Sequence, residues 1–115
     1  MHPAVETVAH LLRADPGGGD LTTLARAAGL SPSHLSRVFQ AQTGVSISRF
    51  RNQQRVRRFM LVYADGRHTT ALAAALEAGF GSYVQFYRVF RSETGRRPSM
   101  SRTEDRPRAV DEPTD

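Results

Sequence analysis

Arg37-Val38-Phe39, three further residues and Thr43-Gly44 return 51 positions later as Arg88-Val89-Phe90, three residues and Thr94-Gly95. Upstream the match continues: Asp20, Ala25, Ala28 and Gly29 correspond to Thr70, Ala75, Ala78 and Gly79 at an offset of 50, so the second copy has one extra residue in its turn. A period of this size marks a repeated supersecondary unit. One glycine-ended helix followed by a capped one could occur in any all-helical protein. Two copies sharing a five-residue motif are not readily accidental.

Each copy reads as helix, short turn, helix. In the first, Asp20 is the expected N-cap, Leu21, Leu24, Ala25 and Ala28 are expected to face inward, and Gly29 closes the helix. Ser31 then caps the next helix, Pro32 fits its first position, and Leu35, Val38 and Phe39 form the buried face as far as Thr43-Gly44. In the second, Thr70 caps a helix to Ala78 and Gly79-Phe80-Gly81 turns the chain. Ser82 with Gln85 has the form of a capping box, and Phe86, Val89 and Phe90 are the expected inner face. On the helix after Thr70, Ala71, Ala74, Ala75 and Ala78 face inward while Leu72 and Leu76 fall outside that face. Either this helix is turned or its subdomain is loosely packed.

Around these units, Val5, Val8, Ala9 and Leu12 place an amphipathic stripe on a helix over 3–14, which Asp15-Pro16-Gly17-Gly18-Gly19 ends. No Gly-Lys-Ser/Thr follows the glycines, so they read as a connector rather than a phosphate cradle. From Ser46 to about Ala64 there is no Pro or Gly, and Phe50, Val56, Phe59, Met60 and Tyr63 punctuate one longer helix ended by Asp65-Gly66. Pro98 is expected to start a last helical turn. The fold expected is all-α, with two helix-turn-helix subdomains joined by a long linker helix and about seven helices in total. The boundaries expected are an N-terminal subdomain over 1–45, the linker helix over 46–65, a C-terminal subdomain over 66–102 and a disordered tail over 103–115.

Composition narrows the function. At 115 residues the chain has no room for separate sensor and reader domains of ordinary size, which fits either the reader half of a longer regulator or a stand-alone reader controlled through its abundance or a partner. There is no cysteine, so disulfides, thiolate metal sites and a cysteine nucleophile are excluded. His2, His10, His34 and His68 lie far apart without ligand-spaced carboxylates, and no serine elbow or paired acids occur, so no enzyme, metal or cofactor is expected. No apolar run suits a membrane span or a secretion signal, and the expected location is the cytoplasm, on the nucleoid. Net charge is +5, and all 16 basic residues are Arg. Through residue 100 there are 13 Arg against 6 acids, whereas the last 15 residues hold 3 Arg against 5 acids. A basic ordered part suits a polyanion partner.

The stretches Ala25 to Gly44 and Ala75 to Pro98 resemble the two helix-turn-helix elements of the AraC/XylS family of transcriptional regulators. Gly79-Phe80, Arg88-Val89-Phe90 and Gly95 to Pro98-Ser99 are similar to the family's C-terminal signature. The resemblance spans about Pro3 to Arg102 and implies a seven-helix, two-subdomain DNA-binding unit, with Arg55 where the family's linker usually carries Arg. The chain departs from the pattern at Arg51 and Gln54, where the family has apolar residues, and at Phe59, where it has a small one. It departs again at Val84 and Gln85, where a small polar residue and an aromatic are usual, and at Ser101, where an aromatic is common.

A recognition helix needs an apolar face toward its own protein and Arg or short polar side chains toward base edges in the major groove. The helix over 32–43 offers Ser33, His34, Ser36, Arg37 and Gln40, and that over 82–94 offers Ser82, Tyr83, Val84, Gln85, Tyr87, Arg88 and Arg91. Arg37 and Arg88 are the leading candidates for two-pronged guanine contact, with phosphate contact the alternative. Gln85 suits adenine and Val84 a thymine methyl, or both pack helix against helix. Tyr83 and Tyr87 are phosphate donors or part-buried aromatics, and His34 meets DNA or only solvent. Arg51, Arg55 and Arg58 share a linker face at i, i+4 and i+7, positioned for phosphates or simply solvated. A linker of about 19 residues is ~28 Å long, close to the ~34 Å between successive major-groove faces on one side of DNA. The expected partner is therefore double-stranded DNA, read by a monomer at an asymmetric site. The rival is a protein-interaction module whose degenerate helix-turn-helix units bind RNA polymerase, a sigma factor or another regulator.

Overall fold

Local capping decides where each helix starts. In a computed structural model of the chain, which describes residues 1–66 and 70–98, α1 (Pro3–Ala14) opens with Pro in its first turn. The His2 Nδ1 accepts from the Ala4 amide at 3.0 Å. Asp20 Oδ1 accepts from the Thr23 amide at 2.8 Å at the head of α2 (Leu21–Ala28). That bond holds the Asp20 carboxyl below the ordinary carboxylate range. Gly29 ends α2 in the left-handed region at φ 76°, with Leu30 donating back to the Ala25 carbonyl. Then follow α3 (Pro32–Thr43), α4 (Ile47–Ala64), α5 (Ala71–Glu77) and α6 (Tyr83–Thr94), with Ser46 capping α4 and Thr70 capping α5 through their hydroxyls. The described residues thus hold six helices and no strand. The turn expected to continue from Pro98 and the tail over 103–115 lie outside the described residues, as do Arg67 to Thr69.

The chain divides into two compact units, Met1–Gln54 and Arg55–Asp115. The expected linker helix is α4, which runs through the division and contributes residues to both units. In the first unit Val5, Val8 and Leu12 of α1 pack with Leu24 and Ala25 of α2, Leu35 and Phe39 of α3, and Ile47. In the second, Val56, Phe59, Val62 and Tyr63 of α4 pack with Ala74, Ala75 and Ala78, Phe80, and Phe86, Val89 and Phe90 of α6. Val5, Val8 and Leu12 therefore have counterparts 51 residues on in Val56, Phe59 and Tyr63, so the repeated unit has three helices and begins earlier than Asp20.

Two expectations are corrected by these cores. Leu21 is 38% exposed, leaving Leu24 and Ala25 as the buried residues of α2. In α5, Ala74 and Ala75 are fully buried and Leu72 and Leu76 exposed, so the helix is not turned to bring its leucines inward. Nor is it loose. Where the first unit has Val8, Leu24, Leu30 and Leu35, the second has Phe59, Ala74, Phe80 and Phe86, and the aromatic rings fill the volume that an alanine leaves. Phe59 lies with its ring centroid 4.5 Å from that of Phe86 and 5.6 Å from that of Phe90. Interiors are packed to crystal-like density, so small and large residues must exchange in this compensated way.

Candidate nucleic-acid interface

Helix α3 is held from behind and from both ends. Leu35 and Phe39 are fully buried and Val38 half-buried, and the Phe39 ring meets Phe50 edge-on at 5.4 Å. Ser31 Oγ accepts from the His34 amide at 3.2 Å, with Pro32 in the first turn. At the other end Gly44 adopts φ 83°, which only glycine takes without strain. The Thr43 hydroxyl lies 2.8 Å from the Phe39 carbonyl and 3.0 Å from that of Val45, and accepts from the Val45 amide. The outward side carries Ser33, His34, Arg37 and Gln40, all exposed, and half-buried Ser36.

Helix α6 repeats the arrangement. Phe86 and Phe90 are fully buried and Val89 nearly so. Gly95 turns the chain at φ 74°, and the Thr94 hydroxyl reaches the Phe90 carbonyl at 2.7 Å and accepts from the Arg96 amide at 3.1 Å. The recurring Thr-Gly is thus a helix stop, and the recurring Val-Phe the anchor before it. Tyr83, Val84, Arg88 and Arg91 are exposed, and Tyr87 is half-buried. Tyr83 is both exposed and ring-packed, 5.6 Å from Phe86 and 6.3 Å from Tyr87.

Gln85 departs from the expectation of an adenine reader. Its amide nitrogen in the backbone donates to Ser82 Oγ at 3.1 Å, and its side-chain Oε1 accepts from the Gly81 amide at 2.7 Å. Two-pronged adenine recognition needs Oε1 and Nε2 together, and Oε1 is already committed to the helix start. The capping box reaches one residue further back than its usual target, Ser82 itself. Ser82 is likewise engaged as the cap, though exposed.

Of the three linker arginines, Arg51 is corrected. Arg51 does not present its guanidinium to solvent. Its Nη1 donates to the carbonyls of Pro16 at 3.0 Å and Gly18 at 3.3 Å, and its Nη2 donates to that of Gly19. A planar fork with several donors suits three carbonyls converging from one loop. Partial burial pushes the guanidinium pKa down, opposed by the charges of Asp15 and Asp20. Arg55 lies half-buried with its guanidinium 5.7 Å from the Phe80 ring centroid, and Arg58 is half-buried too. Arg57 on α4 and Arg96 and Arg97 after the Gly95 cap of α6 are exposed, and none of the three was among the expected contacts. The sequence signal for the pair is two adjacent Arg directly after the Thr94-Gly95 stop.

Four matched positions of α3 and α6 agree in exposure, Ser33 with Val84, Arg37 with Arg88 and Gln40 with Arg91 being exposed and Ser36 with Tyr87 half-buried, whereas His34 is exposed and its counterpart Gln85 half-buried. Each unit therefore sets an Arg at the middle of an outward stripe. The charge is uneven, with five Arg against three acids over 1–54 and eight against three over 55–98. Among the described residues no group of His, Cys, Asp or Glu could hold a metal ion, and no helix is long and apolar enough to cross a membrane.

A family profile described as "Helix-turn-helix domain" matches residues 24–104. The arabinose operon regulatory protein of Salmonella typhimurium is 35% identical over 83 residues, 72% of this chain and 29% of that protein. The chain thus spans less than a third of the length of that relative. Among solved structures, a probable AraC family transcriptional regulator from Rhodopseudomonas palustris is similar with a TM-score of 0.77 and 28% identity, over 90% of this chain and 98% of that one. The DNA-binding domain of AdpA, a global transcriptional factor solved in complex with a target DNA, gives 0.73 and 27%, over 86% and 88%. AraC-type DNA-binding domains bind double-stranded DNA. With its tandem helix-turn-helix units and their outward arginines, the chain belongs to the AraC family of DNA-binding transcriptional regulators.

Proposed function

We propose that this chain reads one asymmetric site on double-stranded DNA as a monomer, with α3 and α6 inserted into adjacent major-groove segments. The observation that carries this reading is the matched outward stripe, in which Arg37 and Arg88 stand exposed on helices whose opposite faces are fixed by buried aromatics. Ser33, His34, Ser36 and Gln40 accompany Arg37 at the groove, and Tyr83, Val84, Tyr87 and Arg91 accompany Arg88. Arg57, Arg58, Arg96 and Arg97 supply phosphate contacts, which position the protein without carrying sequence information. The site of action is the nucleoid, in the cytoplasm.

Selection of bound duplexes from a random DNA pool tests the reading directly. An enriched, non-palindromic site bound by one protomer in a gel shift is the expected outcome, and two protomers per minimal site would overturn the monomer. Affinity should fall steeply with salt, since each neutralised phosphate adds about −0.9 to the slope of log K against log salt. A second reading, docking on RNA polymerase or another regulator, is favoured by Leu72 and Leu76, exposed on one face of α5. It predicts polymerase binding without salt-sensitive binding to random DNA.

A further inference from the structure

The two outward stripes differ most in chemistry at their first position. Ser33 and Val84 occupy the same place, four residues before the matched Arg and inside the first turn of the helix. Both are exposed, Val84 at 71% of its surface. A β-branched side chain is a middling helix former, and its apolar surface gains nothing from water. No ring or core residue covers it: the buried face of α6 is Phe86, Val89 and Phe90, on the opposite side.

We infer that Val84 reads the C5 methyl of a thymine, and that Ser33 does not, so the two half-sites share a guanine but only the α6 half-site requires the neighbouring thymine. This rests on the DNA-reading function proposed above and names the chemistry of one position within it. Thymine is the one base that shows a methyl group in the major groove. The first residues of a recognition helix are those brought to base edges. Val84 and Arg88 stand at i and i+4 on one face, about 5–6 Å apart at their Cβ atoms. Base pairs are stacked at ~3.4 Å, so a guanine held by Arg88 puts Val84 within one or two steps along the groove. At that step a cytosine amino group or a purine N7 would lose water against Val84 and gain no partner, which disfavours them. A serine hydroxyl both donates and accepts and suits any base, so the matched step under Ser33 carries no methyl requirement.

The test uses the full chain and the duplex obtained by selection, with each thymine replaced singly by deoxyuridine, which removes only the methyl group. One such replacement in the α6 half-site should weaken wild-type binding about fourfold, the equivalent of ~0.8 kcal/mol for one buried methyl-sized group. Val84→Ser should be indifferent to that replacement. Ser33→Val should acquire a thymine preference at the matched step of the other half-site. Equal wild-type binding to every deoxyuridine duplex overturns the inference while the DNA-reading function stands, and so does a Val84→Ser protein that retains the full deoxyuridine penalty. Failure of the wild type to bind any duplex overturns both.

Discussion

Replacing Arg51 by Ala separates two roles that predict opposite results. Its guanidinium spans the carbonyls of Pro16, Gly18 and Gly19 in the loop between α1 and α2. When it is removed, Gly19 is exposed and Gly18 half-exposed, so water takes over much of what those carbonyls lose. Pro16 is buried, and leaving its carbonyl unpaired costs about 1–3 kcal/mol. A net destabilisation of about 2 kcal/mol follows, well below three full charge-assisted bonds because two of the three partners are re-hydrated. With an m-value of about 1–3 kcal/mol/M, the urea midpoint should fall by roughly 1 M. Arg51→Lys should recover only part of this, since one ammonium cannot span three carbonyls. The slope of log K against log salt for DNA binding should be unchanged, because Arg51 holds the loop and no phosphate. An unchanged urea midpoint together with a slope shallower by about 0.9 would refute the reasoning and restore Arg51 to the phosphates.

Arg37→Ala and Arg88→Ala should each weaken binding to the selected site by about 1–3 kcal/mol, and titration against random DNA should show a much smaller loss if each contacts a base. Thr43→Val and Thr94→Val should each lower stability by about 1 kcal/mol. Amide hydrogen exchange of Val45 or Arg96 should then speed up locally, because the hydroxyl that accepts from that amide is gone. Asp20 supplies a pH dependence. Its folded pKa is depressed by the Thr23 amide, so its contribution is present above the unfolded carboxylate pKa and is lost as pH falls through the folded value. The stability difference between wild type and Asp20→Ala, followed by urea titration at a series of pH values, should therefore shrink toward zero in acid. A difference that grew in acid would contradict the cap.

Helix order was legible because the signals are local. Asp20, Ser31, Thr70 and Ser82 cap where a short oxygen side chain precedes an apolar stripe, and Gly29, Gly44 and Gly95 stop helices in the left-handed region. The extent of the repeat was not legible. Val56, Phe59 and Tyr63 do the work of Val5, Val8 and Leu12, but they sit inside a continuous α4 with no cap to announce a beginning, and Phe59 shares little with Val8 except its face. Leu21 was misjudged because it shares the angular face of Leu24 and Ala25 but sits at the very start of α2, and a period of 3.6 tells which way a residue points, not how far along the helix the core extends. Arg51 and Gln85 were misjudged for a different reason. Their type suggested a ligand; the Pro16 to Gly19 carbonyls that hold Arg51 belong to a distant loop whose approach no spacing encodes, whereas for Gln85 the Ser82-to-Gln85 capping-box spacing was the signal that its side chain serves the helix start.

What the two copies keep and what they change follows from where each residue points. Thr43 and Thr94, the glycines after them, and the Val-Phe pairs before them face their own unit. A cap bond there is worth about 1 kcal/mol and a core phenylalanine about 3–5 kcal/mol, so either copy loses stability if they change. Exposed positions away from such features shift stability by only about 0.5 kcal/mol and can diverge without altering the fold. Ser33 against Val84 and Gln40 against Arg91 have diverged in this way. Arg37 and Arg88 have not, although they stand on the same exposed stripe and anchor no core. An identical side chain held outward in both units, with no role in holding either together, points to a partner that demands it twice, as guanines in two groove segments of one duplex would. If Arg37→Ala or Arg88→Ala lowered the urea midpoint as far as the threonine variants do, that Arg would belong to the scaffold, and the shared guanine would lose its support.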